Sequence, residues 1–267
     1  MSTLNKIKNR AVSSSFLKNR INFNKKFQKS DFKSWQYKVY KKIIKKYIKK
    51  ENISNIKILD VGAGDGLQVS QFVKIFNNPE IWCLDYSKKS LNSLKKKYTS
   101  KKIKIIKLDM DKLAAFIKKK KLTNYFDIAH SSYSLYYAKN QIGVLNSMKS
   151  SLIKGGFFLI SAPSEPHEMV NLINKVSKIP NKILKTLKFY KNILIPYFIK
   201  NGKNHIFKKK INYLNFKKDI EFIEFWKNTT YYNNNIVEKV KKNLKNRKSL
   251  KFKKISAIAA TMKKWNY

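Results

Sequence analysis

Between residues 56 and 163, short apolar runs alternate with stretches of helix length. This rhythm restricts the fold more than any other feature of the 267-residue chain. The runs at 56–61, 81–84, 103–108, 126–130 and 157–162 read as buried strands, the last entered through the turn Gly155-Gly156. The segments 67–76, 87–98, 112–119 and 142–152 read as helices between them. Strands separated by helices are joined by crossovers, so the pattern predicts βαβ units and a mostly parallel, doubly covered α/β sheet.

On either side the rhythm lapses. Phe32, Trp35, Val39, Ile43, Ile44, Tyr47 and Ile48 fall on one helical stripe, with Asp31 placed to cap it. Residues 1–50 therefore read as a basic segment, loose over its first fifteen residues, followed by a lid helix. After Pro163, helices are expected at 168–176, 182–198, 220–227 and 235–244, and strands at 206–216 and 254–262. This gives one domain over 51–267, with a core at 56–163, a helical cover at 164–205, and closing strands that form an antiparallel, hairpin-like edge.

The chemistry sits at the strand ends. The first strand runs into Leu59-Asp60-Val61-Gly62-Ala63-Gly64-Asp65-Gly66, where glycine lets the chain turn sharply and lets a ligand approach backbone. In a sheet of this kind the ligand lies at the carboxyl ends of the strands, at the topological switch point. Asp85 closes the second strand, and a carboxylate there suits the two hydroxyls of a ribose. Asp109 closes the third and can accept from the amine of adenine. With Asp65 and Asp111, which taken singly read as turn and capping residues, a third of the fifteen acids gathers on one rim.

A dinucleotide fits poorly. Its fingerprint is G-x-G-x-x-G, whereas this turn is G-x-G-x-G and carries Asp65 where a pyrophosphate would lie. A cationic adenosine compound without phosphate fits better, and S-adenosylmethionine (SAM) is such a compound.

Residues 56–163 resemble the class I SAM-dependent methyltransferase core of the small-molecule, type 11/25-like kind. The likeness rests on the glycine turn and on Leu84-Asp85-Tyr86-Ser87 and Leu108-Asp109-Met110-Asp111. It extends to Phe126-Asp127-Ile128-Ala129-His130-Ser131-Ser132 and to Lys154-Gly155-Gly156. It implies a Rossmann-like, seven-stranded sheet with an antiparallel last strand, and methyl transfer from SAM. By position it implies that Asp60, Gly62, Gly64 and Gly66 line the methionine side and that Asp85 takes the ribose. Asp109 and Met110 then flank the adenine, and His130 or Ser131 closes the pocket from below.

For proton removal from an acceptor, the candidates are His130 at the fourth strand end, Tyr136 on the following loop, and His167 past the fifth strand. His205, beside Gly202, reads as an exposed turn residue. Each also has a bland reading, as packing, wall or cap. No Cys or His cluster has metal-ligand spacing, so no metal is expected. The single cysteine and the lack of an apolar run long enough to span a bilayer point to a cytoplasmic setting. Nothing in the sequence specifies an oligomeric state.

Charge narrows the acceptor. Sixty basic residues face fifteen acids, for +45, and only three are arginine. Such a charge favours anionic partners. A surface evolved to read phosphates and bases would carry more arginine. Part of the lysine excess matches the abundance of Asn and Ile, as codon drift would produce. The expected function is O-methylation of a small anionic metabolite or glycan precursor. The alternatives are an RNA- or ribosome-directed methyltransferase and, third, a non-catalytic SAM-binding protein.

Overall fold

The computed structural model describes residues 19, 22–24, 26–28, 31–48, 55–229 and 231–264. The loose start expected for the chain lies outside them. Two compact units emerge. One comprises Phe32–Ala162, Tyr190–Lys208 and the chain from Ala257; the other comprises Pro163–Phe189, Lys209–Ser256 and the chain up to Asp31. The division departs from the boundary expected at residue 50, because the helix Phe32–Tyr47 (α1) belongs with the sheet.

The sheet-bearing unit follows the sequence rhythm closely. Its elements are β1 (Lys57–Val61), α2 (Leu67–Ile75), β2 (Glu80–Asp85), α3 (Lys88–Lys97), β3 (Ile103–Lys107), α4 (Leu113–Lys119), β4 (Phe126–Ser132), α5 (Gln141–Ser151) and β5 (Leu152–Pro163). Side chains set the helix starts: the Ser87 hydroxyl accepts from the Ser90 amide, and the Asn140 side chain accepts from Gly143. The Gly155-Gly156 turn is absorbed into β5 as a bulge. Phe126 pairs with Leu152 but Ile128 with Phe157, so the extra residues loop out where Gly155 has φ +81°.

The strand order is β3-β2-β1-β4-β5-β7-β6, with β6 at Gly202–Asn215 and β7 at Lys251–Lys263. β1 pairs parallel with both β2 and β4. The chain builds outward from β1 to β3 and then returns to the other side at β4, so the switch point lies between β1 and β4. The last strand runs antiparallel: the Lys264 amide donates to Asn201 and the Phe216 amide to Leu250. Ile58, Cys83, Ile128, Phe157, Leu159, Val69 and Phe72 form a buried core with Tyr40, Ile43 and Ile44 of α1. One face of α1 is therefore a layer of that core.

The second unit contains α6 (Glu168–Val176), α7 (Asn181–Leu187), α9 (Asp219–Lys227) and α10 (Val237–Lys245). Phe216 stands at the centre of its core, 4.9 Å from Phe27, 5.5 Å from Phe222 and Phe225, and 6.0 Å from Phe252 between ring centroids. The helix expected at 182–198 is broken. α7 stops at Leu187, a π turn covers Tyr190–Leu194, and α8 (Ile195–Asn201) carries Pro196 in its first turn. Proline has no N–H to donate to a preceding turn, so it fits the first turn of α8 and not the interior of one continuous helix. Among the described residues no helix is long and apolar enough to cross a membrane, and no cluster of three or more His, Cys, Asp or Glu could hold a metal ion.

Candidate functional site

The glycine turn is tied down from three sides. The Gly62 and Ala63 amides both donate to the Leu84 carbonyl at the end of β2, at 2.7 and 3.0 Å. The Gly64 amide donates to Asp85 Oδ2 at 2.8 Å. The Ser131 and Ser134 hydroxyls, 2.6 Å apart, converge on the Val61 carbonyl.

All three glycines adopt left-handed conformations, but for different reasons. A Cβ on Gly62 would lie 2.2 Å from the Ser134 hydroxyl oxygen, and one on Gly66 would lie 2.0 Å from Leu94 Cδ1. Protein packing explains both. At Gly64, with φ +58°, a Cβ would meet nothing within 4 Å, so this turn residue faces open space. Asp65, expected to put a negative charge in the turn, is instead paired with Lys97 at 3.3 Å at the surface.

Asp85 is half-buried. Its Oδ1 accepts from the Ser87 amide at 2.7 Å while Oδ2 holds Gly64. Burial pushes its carboxyl pKa up; the amides of Ser87 and Gly64 pull it back, and the nearby Asp60 adds to the rise. Asp109 and Met110 follow β3, both half-buried, and Asp109 accepts from the Asp111 amide at 3.1 Å. Asp111 Oδ1 holds the backbone amides of Lys139 and Asn140, the structural part its turn position predicts.

Asp60, at the end of β1, belongs to a buried polar network. Parallel register makes Asp60 the direct neighbour of His130 across β1 and β4. Asp60 is 1% exposed and His130 0%. Asp60 Oδ1 lies 2.8 Å from His130 Nδ1, and His130 Nε2 lies 2.9 Å from the Tyr40 hydroxyl. Tyr40 is also 2.7 Å from the Ser161 hydroxyl and receives the Gln36 amide at 3.1 Å. Asp60 Oδ2 is buried with no hydrogen-bond partner.

These positions revise the expected acid–base groups. His130 has both ring nitrogens occupied and no solvent exposure, so it does not stand at the rim as a proton acceptor. Tyr136 is buried and packs on Tyr137 at 4.5 Å. His167 belongs to the other compact unit, where its Nε2 is 3.1 Å from the Tyr231 hydroxyl and Nδ1 is sealed without a partner. Burial, with Lys254 adding to it, pushes its pKa down to about 3, which leaves it a weak base. His205 is not in a turn: it sits in β6 with Nδ1 2.8 Å from the Thr261 hydroxyl.

Gln36 and Tyr40 were not among the sequence candidates. They stand four residues apart on the buried face of α1, and a glutamine on an apolar stripe was the available signal.

Comparison with known proteins settles the family. A family described as a methyltransferase domain matches residues 52–218, well over half of the chain. The chain belongs to this methyltransferase family. The expected use of SAM and the seven-stranded Rossmann-like fold stand with that membership.

Solved structures agree on the fold of the methyltransferase. The BH2331 protein of Bacillus halodurans is 14% identical with a TM-score of 0.56, covering 79% of this chain and 94% of that one. The YcgJ protein of Bacillus subtilis is 11% identical with a TM-score of 0.55, covering 80% and 94%. The plantazolicin methyltransferase BamL, solved with a triazolic desmethylPZN analog and S-adenosylhomocysteine (SAH), is 14% identical with a TM-score of 0.56, covering 98% and 95%. No curated protein sequence matches the chain.

Proposed function

We propose that this methyltransferase holds SAM over the Gly62–66 turn and transfers its methyl group to an oxygen of a small anionic metabolite. The observation that carries the reading is the unfilled space at Gly64, whose amide is held by Asp85; the same strand end carries a buried Asp60 oxygen with no partner. An unpaired buried carboxylate oxygen is costly and calls for a donor, which an ammonium supplies. Asp85, already fixed by two backbone amides, has lone pairs left for the ribose hydroxyls. Asp109 and Met110, half-buried after β3, take the adenine in this reading.

When bound, SAM supplies an electrophilic methyl group on a sulfonium. The chain's task is to align the acceptor and exclude water, since alignment alone is worth about 7–11 kcal/mol in favourable cases. The two candidate histidines offer no ready base: His130 is enclosed on both nitrogens and His167 is a weak base. This supports an acceptor oxygen that needs no proton removed, such as a carboxylate. The acid-free, thirteen-lysine stretch 169–218 supports an anionic acceptor, and a cytoplasmic site of action goes with the reading.

The test is incubation with methyl-labelled SAM and fractionated cell extract. Label in small anionic compounds that mild alkali releases is the expected result, because carboxyl methyl esters hydrolyse readily. Label in RNA, with transfer collapsing between about 50 and 200 mM salt, would overturn it in favour of a nucleic-acid substrate.

SAH binding should also depend on pH. Ribose hydroxyls bind a carboxylate better than a carboxylic acid, and burial raises the Asp85 pKa. Affinity is therefore expected to be full at neutral pH and to decline on acidification, starting above the ordinary carboxylate range near ~4. Calorimetry should show that Asp85→Asn removes this acid limb. An identical limb in the variant would take Asp85 out of the account.

A further inference from the structure

Resting on the SAM-site reading above, we propose that Tyr40 and His130 are positioning residues. They form a relay that holds one oxygen of Asp60 occupied so that the other is presented to the bound methyl donor.

The argument starts from α1. Its hydroxyl-bearing Tyr40 is fully buried, although a phenol in an apolar core normally requires a reason and a partner. Its partners define the reason. The Gln36 amide can only donate to the phenol oxygen, at 3.1 Å, and Ser161 stands 2.7 Å away. The Ser161 contact can run either way, but a carboxylate only accepts, so the proton shared by Asp60 and His130 sits on Nδ1, and Nε2 of the neutral ring accepts the Tyr40 proton at 2.9 Å. Burial also pushes the Tyr40 pKa upward, so the phenol keeps that proton.

A ring that accepts at Nε2 carries its own proton on Nδ1. That proton points at Asp60 Oδ1, 2.8 Å away. The carboxylate is thus pinned by one oxygen with its plane fixed, and Oδ2 is left without a partner. Without the relay, the carboxylate is free to rotate either oxygen onto the ring, and the acceptor for the donor's ammonium is no longer preorganised.

Every step lies within one compact unit. α1, β1, β4 and β5 contribute Tyr40, Asp60, His130 and Ser161 respectively. The N-terminal helix is thereby wired to the proposed cofactor site by hydrogen bonds.

The chain has three histidines, so selective ¹⁵N-histidine labelling of the full-length protein gives a readable spectrum. The His130 signals, assigned by their loss in His130→Asn, should report a proton on Nδ1 and none on Nε2. In Tyr40→Phe the Nε2 signal should move toward a mixture of tautomers. Calorimetric SAH affinity should fall about tenfold, the scale of one hydrogen bond that fixes a charged group. Tyr40→Phe combined with Asp60→Asn should bind no more weakly than Asp60→Asn alone.

His130→Asn supplies a readout if Tyr40→Phe fails to fold. Its amide reaches the Nδ1 position and can still donate to Asp60, so it should retain SAH affinity that His130→Ala loses. A wild-type proton on Nε2, independent and additive effects of Tyr40 and Asp60, or equal losses in His130→Asn and His130→Ala would each overturn the relay. Wild-type SAH binding that Tyr40→Phe leaves untouched overturns the relay alone. Absence of binding by the wild-type chain overturns the SAM-site reading with it.

Discussion

Gly64→Val is expected to weaken SAH binding by about 100-fold or more, some 3 kcal/mol, with a stability loss that comes from backbone strain rather than from a clash. The reason lies in what surrounds the missing side chain. Chain neighbours aside, no protein atom lies within 4 Å of a Cβ built on Gly64, so the added side chain starts into open space and fills the volume read here as the ligand's. A β-branched residue at φ +58° carries backbone strain of order 1–3 kcal/mol, which accounts for the stability loss. Gly64→Asn separates the two effects, because asparagine tolerates the left-handed conformation while still occupying the space. It should keep the melting temperature and lose binding. At Gly66 the added carbon would meet Leu94 at 2.0 Å, so substitution there should act on stability first. A Gly64→Val protein that binds SAH normally would mean that the turn does not cradle the cofactor.

Asp85→Ala is the second large effect, about 1.5–3 kcal/mol of SAH affinity. The ribose loses its acceptor, and the turn loses a brace as well. The Gly64 amide, now held at 2.8 Å by Asp85 Oδ2, and the Ser87 amide, held at 2.7 Å by Oδ1, both lose their partner. Asp85→Asn keeps one acceptor oxygen and should lose less. Calorimetry on the two variants measures the difference, and unchanged affinity in Asp85→Ala would remove the ribose assignment.

Local pattern carried most of the fold. The spacing of apolar runs placed β1 to β4 and the helices between them within a residue or two, because each is a short element whose period and caps are written in adjacent residues. The helix expected over 182–198 is interrupted after Leu187 although apolar and lysine positions keep helical spacing there, and it resumes through a π turn into α8, which accepts Pro196 in its first turn.

The residues proposed for the cofactor side were locatable for the same reason as the strands: Asp60, Gly64, Asp85 and Asp109 stand at or just past strand ends. The expected base was not legible. That His130 is sealed between Asp60 and Tyr40 depends on the register of β1 against β4 and on the docking of α1, contacts between residues 70 and 90 positions apart. The same applies to α1. Its stripe announced an amphipathic helix, but only tertiary packing shows that Gln36 and Tyr40 sit in the core facing Ser161.

The most direct test of the central claim is a crystal structure of the full chain with SAH bound. The adenosylhomocysteine should lie across the Gly62–66 turn against Gly64, with its ribose hydroxyls on Asp85 and its amine on Asp60 Oδ2. A ligand found elsewhere on the chain, or an Asp60 oxygen still without a donor in a saturated crystal, would contradict the account.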